Sequence, residues 1–188
     1  MSSPRAQRVR IIGGRHRGRV IRFPAVADLR PTPDRVRETL FNWLGQDLAG
    51  LRTLDLFCGT GALSLEALSR GASLAVAVDR NPALIRAVEA AAAGMQAEGL
   101  EAHVADARAF LARQSRKFDV VFLDPPFDTD PWSWLLPLAL SALSPGGRVY
   151  AEARRAVDPP PGARLWRRAK AGQVHYHLLQ SDISEAPV

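Results

Sequence analysis

Cysteine is nearly absent: the 188 residues contain only Cys58, with four histidines. One cysteine excludes an internal disulfide and a cysteine-built zinc site. Long apolar runs are missing too, and no stretch of 18 apolar residues occurs, so no membrane-spanning helix is expected. The opening residues Met1 to Arg5 lack the apolar segment of a secretory signal, and a cytoplasmic location is the expectation. Lysine occurs only as Lys117 and Lys170, so the net charge of +6 is carried almost wholly by arginine.

Acids are absent from Met1 to Arg22, where seven arginines stand. Residues 1–52 hold eleven arginines against Asp28, Asp34, Glu38 and Asp47, a balance of +7, which leaves the other 136 residues near −1. Such a concentrated basic arm is the footprint of a phosphate-backbone partner. Its candidate RNA-binding residues are Arg15, Arg17, Arg19, Arg22 and Arg35, with His16 among them. The bland alternative is a solvated tail. A second basic cluster, Arg154, Arg155, Arg164, Arg167, Arg168 and Lys170, reads equally well as an RNA contact or a solvated face.

Val9–Ile12 and Arg19–Phe23 flank a glycine-containing turn and predict a hairpin, which must lean on another element to be stable. In Arg30-Pro-Thr-Pro-Asp34, Thr32 is expected to cap a helix with Pro33 in its first turn. Val36, Leu40, Trp43 and Leu44 then give that helix one apolar face. From residue 51, apolar runs at Thr53–Phe57, Leu74–Val78, Ala102–Ala105, Phe118–Leu123 and Arg148–Ala151 alternate with helical stretches near 61–70, 82–98, 107–113 and 131–143. That alternation predicts a parallel sheet covered on both faces. After the break at Pro159–Gly162, the segments 164–168 and 173–180 predict an antiparallel strand pair at the sheet edge.

The first long strand ends in Leu54-Asp-Leu-Phe-Cys-Gly-Thr-Gly-Ala62. Its two glycines let the backbone approach a ligand, at the strand ends where open parallel sheets bind ligands. Asp79, eighteen residues past Gly61, suits ribose hydroxyls, and Asp106 is placed to read an adenine amine. A nicotinamide enzyme is the competing class. Its fingerprint needs a third glycine where Ser64 stands, and Asp55, four residues before the first glycine, better suits a cationic, phosphate-free ligand. The bland alternative is that these acids only cap helices.

Val120-Val-Phe-Leu-Asp-Pro-Pro-Phe127 is the most informative string. The prolines fix the backbone and remove N–H donors, so the turn presents acceptors in a rigid arrangement. The lone pair of a base amine is spread into its ring. Accepting its two N–H groups at the Asp124 carboxylate and the Pro125 carbonyl would aim that lone pair at a methyl donor. Phe127 would stack on the base. The catalytic candidates are therefore Asp124, Pro125, Pro126 and Phe127.

These stretches, with Arg10-Ile-Ile-Gly-Gly14, Arg17-Gly-Arg19, Leu29-Arg-Pro-Thr32, the run Asp34–Leu44, Gly61-Ala-Leu63, Leu65–Gly71 and Ala171-Gly-Gln-Val174, cover nearly the whole chain in order. The chain thereby resembles the RsmD family of bacterial 16S rRNA (guanine-N2)-methyltransferases. The resemblance implies an α/β, Rossmann-like seven-stranded sheet over residues 29–188 with a basic β-hairpin extension at 1–28. It implies S-adenosylmethionine as cofactor, with Asp55, Gly59 and Gly61 lining its methionine end and Asp79 its ribose; Phe57 and Asp106 complete the candidate cofactor-binding residues, although the family's residue at the Asp106 position varies. The partner it implies is 16S rRNA in the small subunit or an assembly intermediate, acted on by a monomer without metal. The usual Ala-Gly-Ser-Gly loop reads Cys58-Gly59-Thr60-Gly61 here, and Cys58 is expected to pack inward. A DNA adenine or protein amide methyltransferase shares the proline turn, and a non-catalytic RNA-binding assembly factor is the alternative of another class. His175 and His177 share a strand face but lack a third ligand, so packing or exposure is expected. Trp132, Trp134 and Trp166 are expected to pack on the sheet.

Overall fold

The computed structural model describes residues 7–26, 29, 31–126 and 129–182. Arg5, Asp28, Arg30 and Phe127, which the sequence singled out, lie outside the described residues. The elements run β1 (Gln7–Arg10), β2 (Val20–Phe23), α1 (Asp34–Leu44), β3 (Arg52–Asp55), α2 (Ala62–Ser69), β4 (Leu74–Asp79), α3 (Pro82–Met95), β5 (Leu100–Val104), α4 (Ala107–Arg113), β6 (Phe118–Leu123), α5 (Trp132–Ser141), β7 (Leu143–Ala153), β8 (Ala163–Ala171) and β9 (Val174–Ser181).

Seven strands form one sheet in the order β5-β4-β3-β6-β7-β9-β8. β3 to β7 are mutually parallel, and β9 and β8 complete the edge as an antiparallel pair. The chain winds outward from β3 to β5, then returns to lay β6 on the other side of β3. The order therefore reverses between β3 and β6, where open α/β sheets hold their ligands.

Alternation along each strand divides the core. Val120, Phe122 and Tyr150 join α1, α2 and α3 on one face. Leu54, Val121, Leu123 and Val149 join α4 and α5 on the other. Helix α2, Ala-Leu-Ser-Leu-Glu-Ala-Leu-Ser, is buried on every side, its Ser64, Glu66 and Ser69 included. The β1–β2 hairpin packs on this side of the sheet, with β2 against α3, and its Val9, Ile11, Ile21 and Phe23 enter the same core. The hairpin does lean on the body of the protein. Arg15 N–H donates to Ser69 O at 2.7 Å, His16 N–H to Ser69 Oγ at 2.8 Å, and Ser69 Oγ–H to Gly13 O at 2.6 Å.

One local expectation fails. Thr32 does not cap α1: Pro33 occupies the cap position without a side-chain bond. The buried Thr32 hydroxyl instead meets the Glu152 carboxyl, a partner far away in sequence. Trp132, Trp134 and Trp166 are partly buried against the two cores, as expected. His177 is buried, its Nε2 3.3 Å from Val157 N and its Nδ1 3.3 Å from Ala151 O. No helix among the described residues is long and apolar enough to cross a membrane.

Candidate active site

Four acids stand at the carboxyl ends of four adjacent strands: Asp79 on β4, Asp55 on β3, Asp124 just past β6 and Glu152 on β7. Each follows by two residues a side chain facing α1–α3, so the two-residue period of a strand turns all four toward that side. β3 and β6 are neighbours, with Asp55 opposite Phe122 and Leu56 N–H donating to Phe122 O at 3.2 Å. The glycine loop and the proline turn therefore begin on adjacent strands, at the point where the sheet order reverses.

The glycine loop is held from two directions. Gly59 N–H donates to Asp79 Oδ2 at 3.0 Å, which ties the loop to the tip of β4, and Asp79 Oδ1 accepts from Asn81 N–H at 2.8 Å. Gly61 has φ +74°, and a Cβ there would lie 2.6 Å from Val88 Cγ2 of α3. Glycine is required both by the left-handed backbone and by this close packing. Cys58 is buried, and burial pushes its thiol well above the usual range, beside Asp55 and Asp79. Phe57 lies at the strand tip, half-buried against the α4–α5 side.

Asp55 is 2% exposed. Its Oδ2 accepts from Ser64 Oγ–H at 2.9 Å, while its Oδ1 is buried without a hydrogen-bond partner. Burial raises its carboxyl to about 7, the Ser64 hydroxyl opposes that shift, and the nearby Asp79 adds to it. A buried acceptor left unsatisfied is unusual and costly. Here it sits beside a loop narrowed to bare backbone, so the arrangement fits a ligand that brings a donor or a cation. Ser64, noted in the sequence only as a missing glycine, is the residue that orients this carboxylate.

Asp106 follows β5, the neighbour of β4, where Ala105 N–H donates to Asp79 O at 3.0 Å. Its Oδ1 accepts from Ala109 N–H at 2.9 Å as the α4 cap, and its Oδ2 accepts from Arg80 Nε at 2.9 Å. The Arg80 bond is the first cause that holds its carboxyl below the usual range.

At the proline turn, Asp124 is partly buried, Pro125 buried and Pro126 exposed. Burial and the carboxyls of Glu152 and Asp55 push Asp124 well above the ordinary carboxylate range. The Pro126 carbonyl accepts from Thr129 N–H at 3.1 Å and from its hydroxyl at 2.8 Å. No donor among the described residues meets the Pro125 carbonyl. Glu152 was not anticipated, although an acid ending the apolar run Val149–Ala151 was the available signal. It is 4% exposed, and its Oε1 accepts from Tyr150 O–H at 2.7 Å.

Arg15, Arg17, Arg19, Arg22 and Arg35 are all exposed, and none is in an ion pair among the described residues. Arg15 and Arg17 lie on the turn fastened to Ser69, the last residue of α2, with Arg19 where that turn returns. The eight residues of α2 separate this turn by about 12 Å from the glycine loop. Arg22 lies on β2 and Arg35 in the first turn of α1.

A family model described as Conserved hypothetical protein 95 matches residues 9–180. The chain is 38% identical over 183 residues to the Ribosomal RNA small subunit methyltransferase D of Escherichia coli strain K12, covering 93% of this chain and 90% of that protein. It is 33% identical to the protein of the same name from Haemophilus influenzae, covering 92% and 94%. The solved structure of the yhhF protein from Escherichia coli matches with a TM-score of 0.85 at 37% identity, over 95% of this chain and all of that one.

Proposed function

We propose that this chain, which belongs to the Conserved hypothetical protein 95 family, the RsmD family, works as an S-adenosylmethionine-dependent methyltransferase on the exocyclic N2 of a guanine in 16S rRNA. The observation that carries the reading is the adjacency of β3 and β6. It sets the unpartnered Asp55 oxygen and glycine loop beside the rigid Asp-Pro-Pro acceptor. S-adenosylmethionine, when bound, supplies an electrophilic methyl group on a sulfonium.

The chain's own residues do the rest. Asp55 takes a cationic end of the cofactor, the glycine loop admits it, and Asp79 receives ribose hydroxyls. Phe57 and Asp106 are assigned to the same cofactor site, Asp106 at its outer rim. Asp124 and the Pro125 carbonyl each accept one amine N–H, which localises the nitrogen lone pair and offsets the positive charge that grows there. Pro126 stiffens the turn, and Phe127 stacks on the base. A base cannot reach this site while paired and stacked, so it is splayed out.

Residues 1–28 form the RNA-facing extension to the domain at 29–188. Arg15, Arg17, Arg19, Arg22 and Arg35 take phosphates of the RNA around the target. The substrate is the small subunit or an assembly intermediate, met in the cytoplasm by a monomer. The test is methylation by the purified protein of small subunits from a strain lacking the enzyme, followed by mass spectrometry of the nucleosides. N2-methylguanosine in 16S rRNA is expected. Methyladenine, or no product, would reverse the assignment.

The position of Asp55 adds a second expectation. A carboxyl titrating near 7 must lose its proton to hold a cation well. Affinity for S-adenosylhomocysteine, read by calorimetry, should therefore level off above that pH and fall by up to about tenfold per unit below it. A flat profile through this range would remove Asp55 from the cofactor site.

A further inference from the structure

We infer that Glu152 reads the Watson–Crick edge of the target base, accepting the N1–H of guanine beside the amine held at Asp124. The inference rests on the guanine-N2 reading above. In the parallel register of β6 and β7, Leu123 stands opposite Ala151. The next residues, Asp124 and Glu152, are therefore side by side across a strand spacing of about 4.8 Å. Each lies two residues past a core aromatic of the α1–α3 face, Phe122 and Tyr150 respectively, and so both carboxyls face the same space.

Glu152 is held firmly. Tyr150 O–H donates to its Oε1 at 2.7 Å, and the Thr32 hydroxyl lies close enough to favour its ionised form. A carboxylate offers about four acceptor positions, so these neighbours leave others for a ligand. No arginine, lysine or histidine pairs with it among the described residues. A second buried acid placed against Asp124 without a cation weakens the fold. It is well suited, however, to a ligand edge that brings two adjacent donors.

Guanine has that edge, with N1–H beside its N2 amine. Adenine does not, because its N1 is an acceptor. 2-Aminopurine separates the two features: it keeps the amine at C2 but carries a lone pair on N1. That lone pair would face the Glu152 oxygen, whereas guanine would satisfy it.

The experiment uses small subunits reconstituted with 16S rRNA carrying either guanine or 2-aminopurine at the methylated position. The kcat/KM ratio is measured by mass spectrometry of the N2-methylated nucleosides. Wild-type protein should prefer guanine by at least about 100-fold, because the analogue leaves a buried acceptor unpaired. Glu152→Gln can turn an N–H toward the N1 lone pair, so it should slow guanine, speed 2-aminopurine and bring the ratio to within about threefold. A purely structural role would lower both rates together and leave the ratio unchanged. Thermal unfolding and S-adenosylhomocysteine binding report whether the variant folds. If it does not, Glu152→Asp keeps the acceptor and should keep the preference at a reduced rate. Wild-type protein that accepts both bases alike, or a folded Glu152→Gln that retains the wild-type ratio, overturns the inference. Absence of transfer to guanine by wild-type protein instead overturns the functional reading beneath it.

Discussion

Asp124→Ala is expected to lower methyl transfer by roughly 10²–10³-fold while leaving affinity for S-adenosylhomocysteine close to wild type. The amine of a base is a weak nucleophile, and Asp124 is the charged acceptor on the turn that holds it. Removing the carboxylate leaves one N–H to the Pro125 carbonyl and nothing to offset positive charge on nitrogen. The cofactor residues lie on other strand tips and keep their bonds, Ser64 to Asp55 and Gly59 to Asp79 among them. Stability should move the other way. Asp124 lies beside the carboxyls of Glu152 and Asp55 and is raised by burial and by both of them. An acid whose folded value exceeds its unfolded one favours folding most at low pH, and that contribution is lost as pH rises toward the folded value. Alanine removes one such group, so unfolding at neutral pH should show an unchanged or higher Tm. A variant with wild-type turnover, or one that loses cofactor binding in parallel with activity, would contradict the assigned role.

The second large effect is on stability. Glu66 is fully buried in the middle of α2, and four donors converge on it. Ile12 N–H from the hairpin lies at 2.9 Å, Arg37 Nη1 from α1 at 3.4 Å, Arg70 Nε at 3.0 Å and Arg70 Nη2 at 2.9 Å. Arg37 also donates to Thr32 O and Asp34, and the Arg70 guanidinium lies 4.7 Å from the Phe41 ring. One carboxylate thus fastens hairpin, α1 and α2. Glu66→Ala leaves two buried guanidinium groups short of their counter-charge, and breaking a buried pair from one side costs about 3–5 kcal/mol. In a domain of this size that corresponds to a Tm lowered by roughly 10 °C. Chemical denaturation showing a loss below about 1 kcal/mol would mean the network carries little of the fold. Because Arg37 also holds the Thr32 backbone, and Thr32 meets Glu152, the same substitution should loosen the approach to the base.

The alternation of apolar strands and helices placed β6 and α4 at their observed bounds, since buried parallel strands and amphipathic helices carry their own periods. Other boundaries moved by a few residues. β7 begins five residues before the apolar run at Arg148, because the pairing of Leu143 with Phe118 continues past a register shift that composition does not mark. At the site, Asp55, Gly59, Gly61, Asp79 and Asp124 were legible because each stands at a strand end in a short motif. Glu152 and Ser64 were not, since their meaning lies in partners far off in the sequence or across the glycine loop. Thr32 reads locally as a cap, and only the packing of β7 beneath its segment gives its hydroxyl another partner.

The order of residues alone determined that this chain builds a covered parallel sheet with a basic arm, because period, charge and turn chemistry are local properties. Which strand tips become neighbours was decided only in three dimensions. The return crossover that lays β6 against β3, and β7 against β6, gathers acids from residues 55, 124 and 152 into one buried space. Burial then raises all three of those carboxyls and leaves an oxygen of Asp55 waiting for a donor. Dielectric environment and adjacency belong to the packed fold, and no single segment contains them.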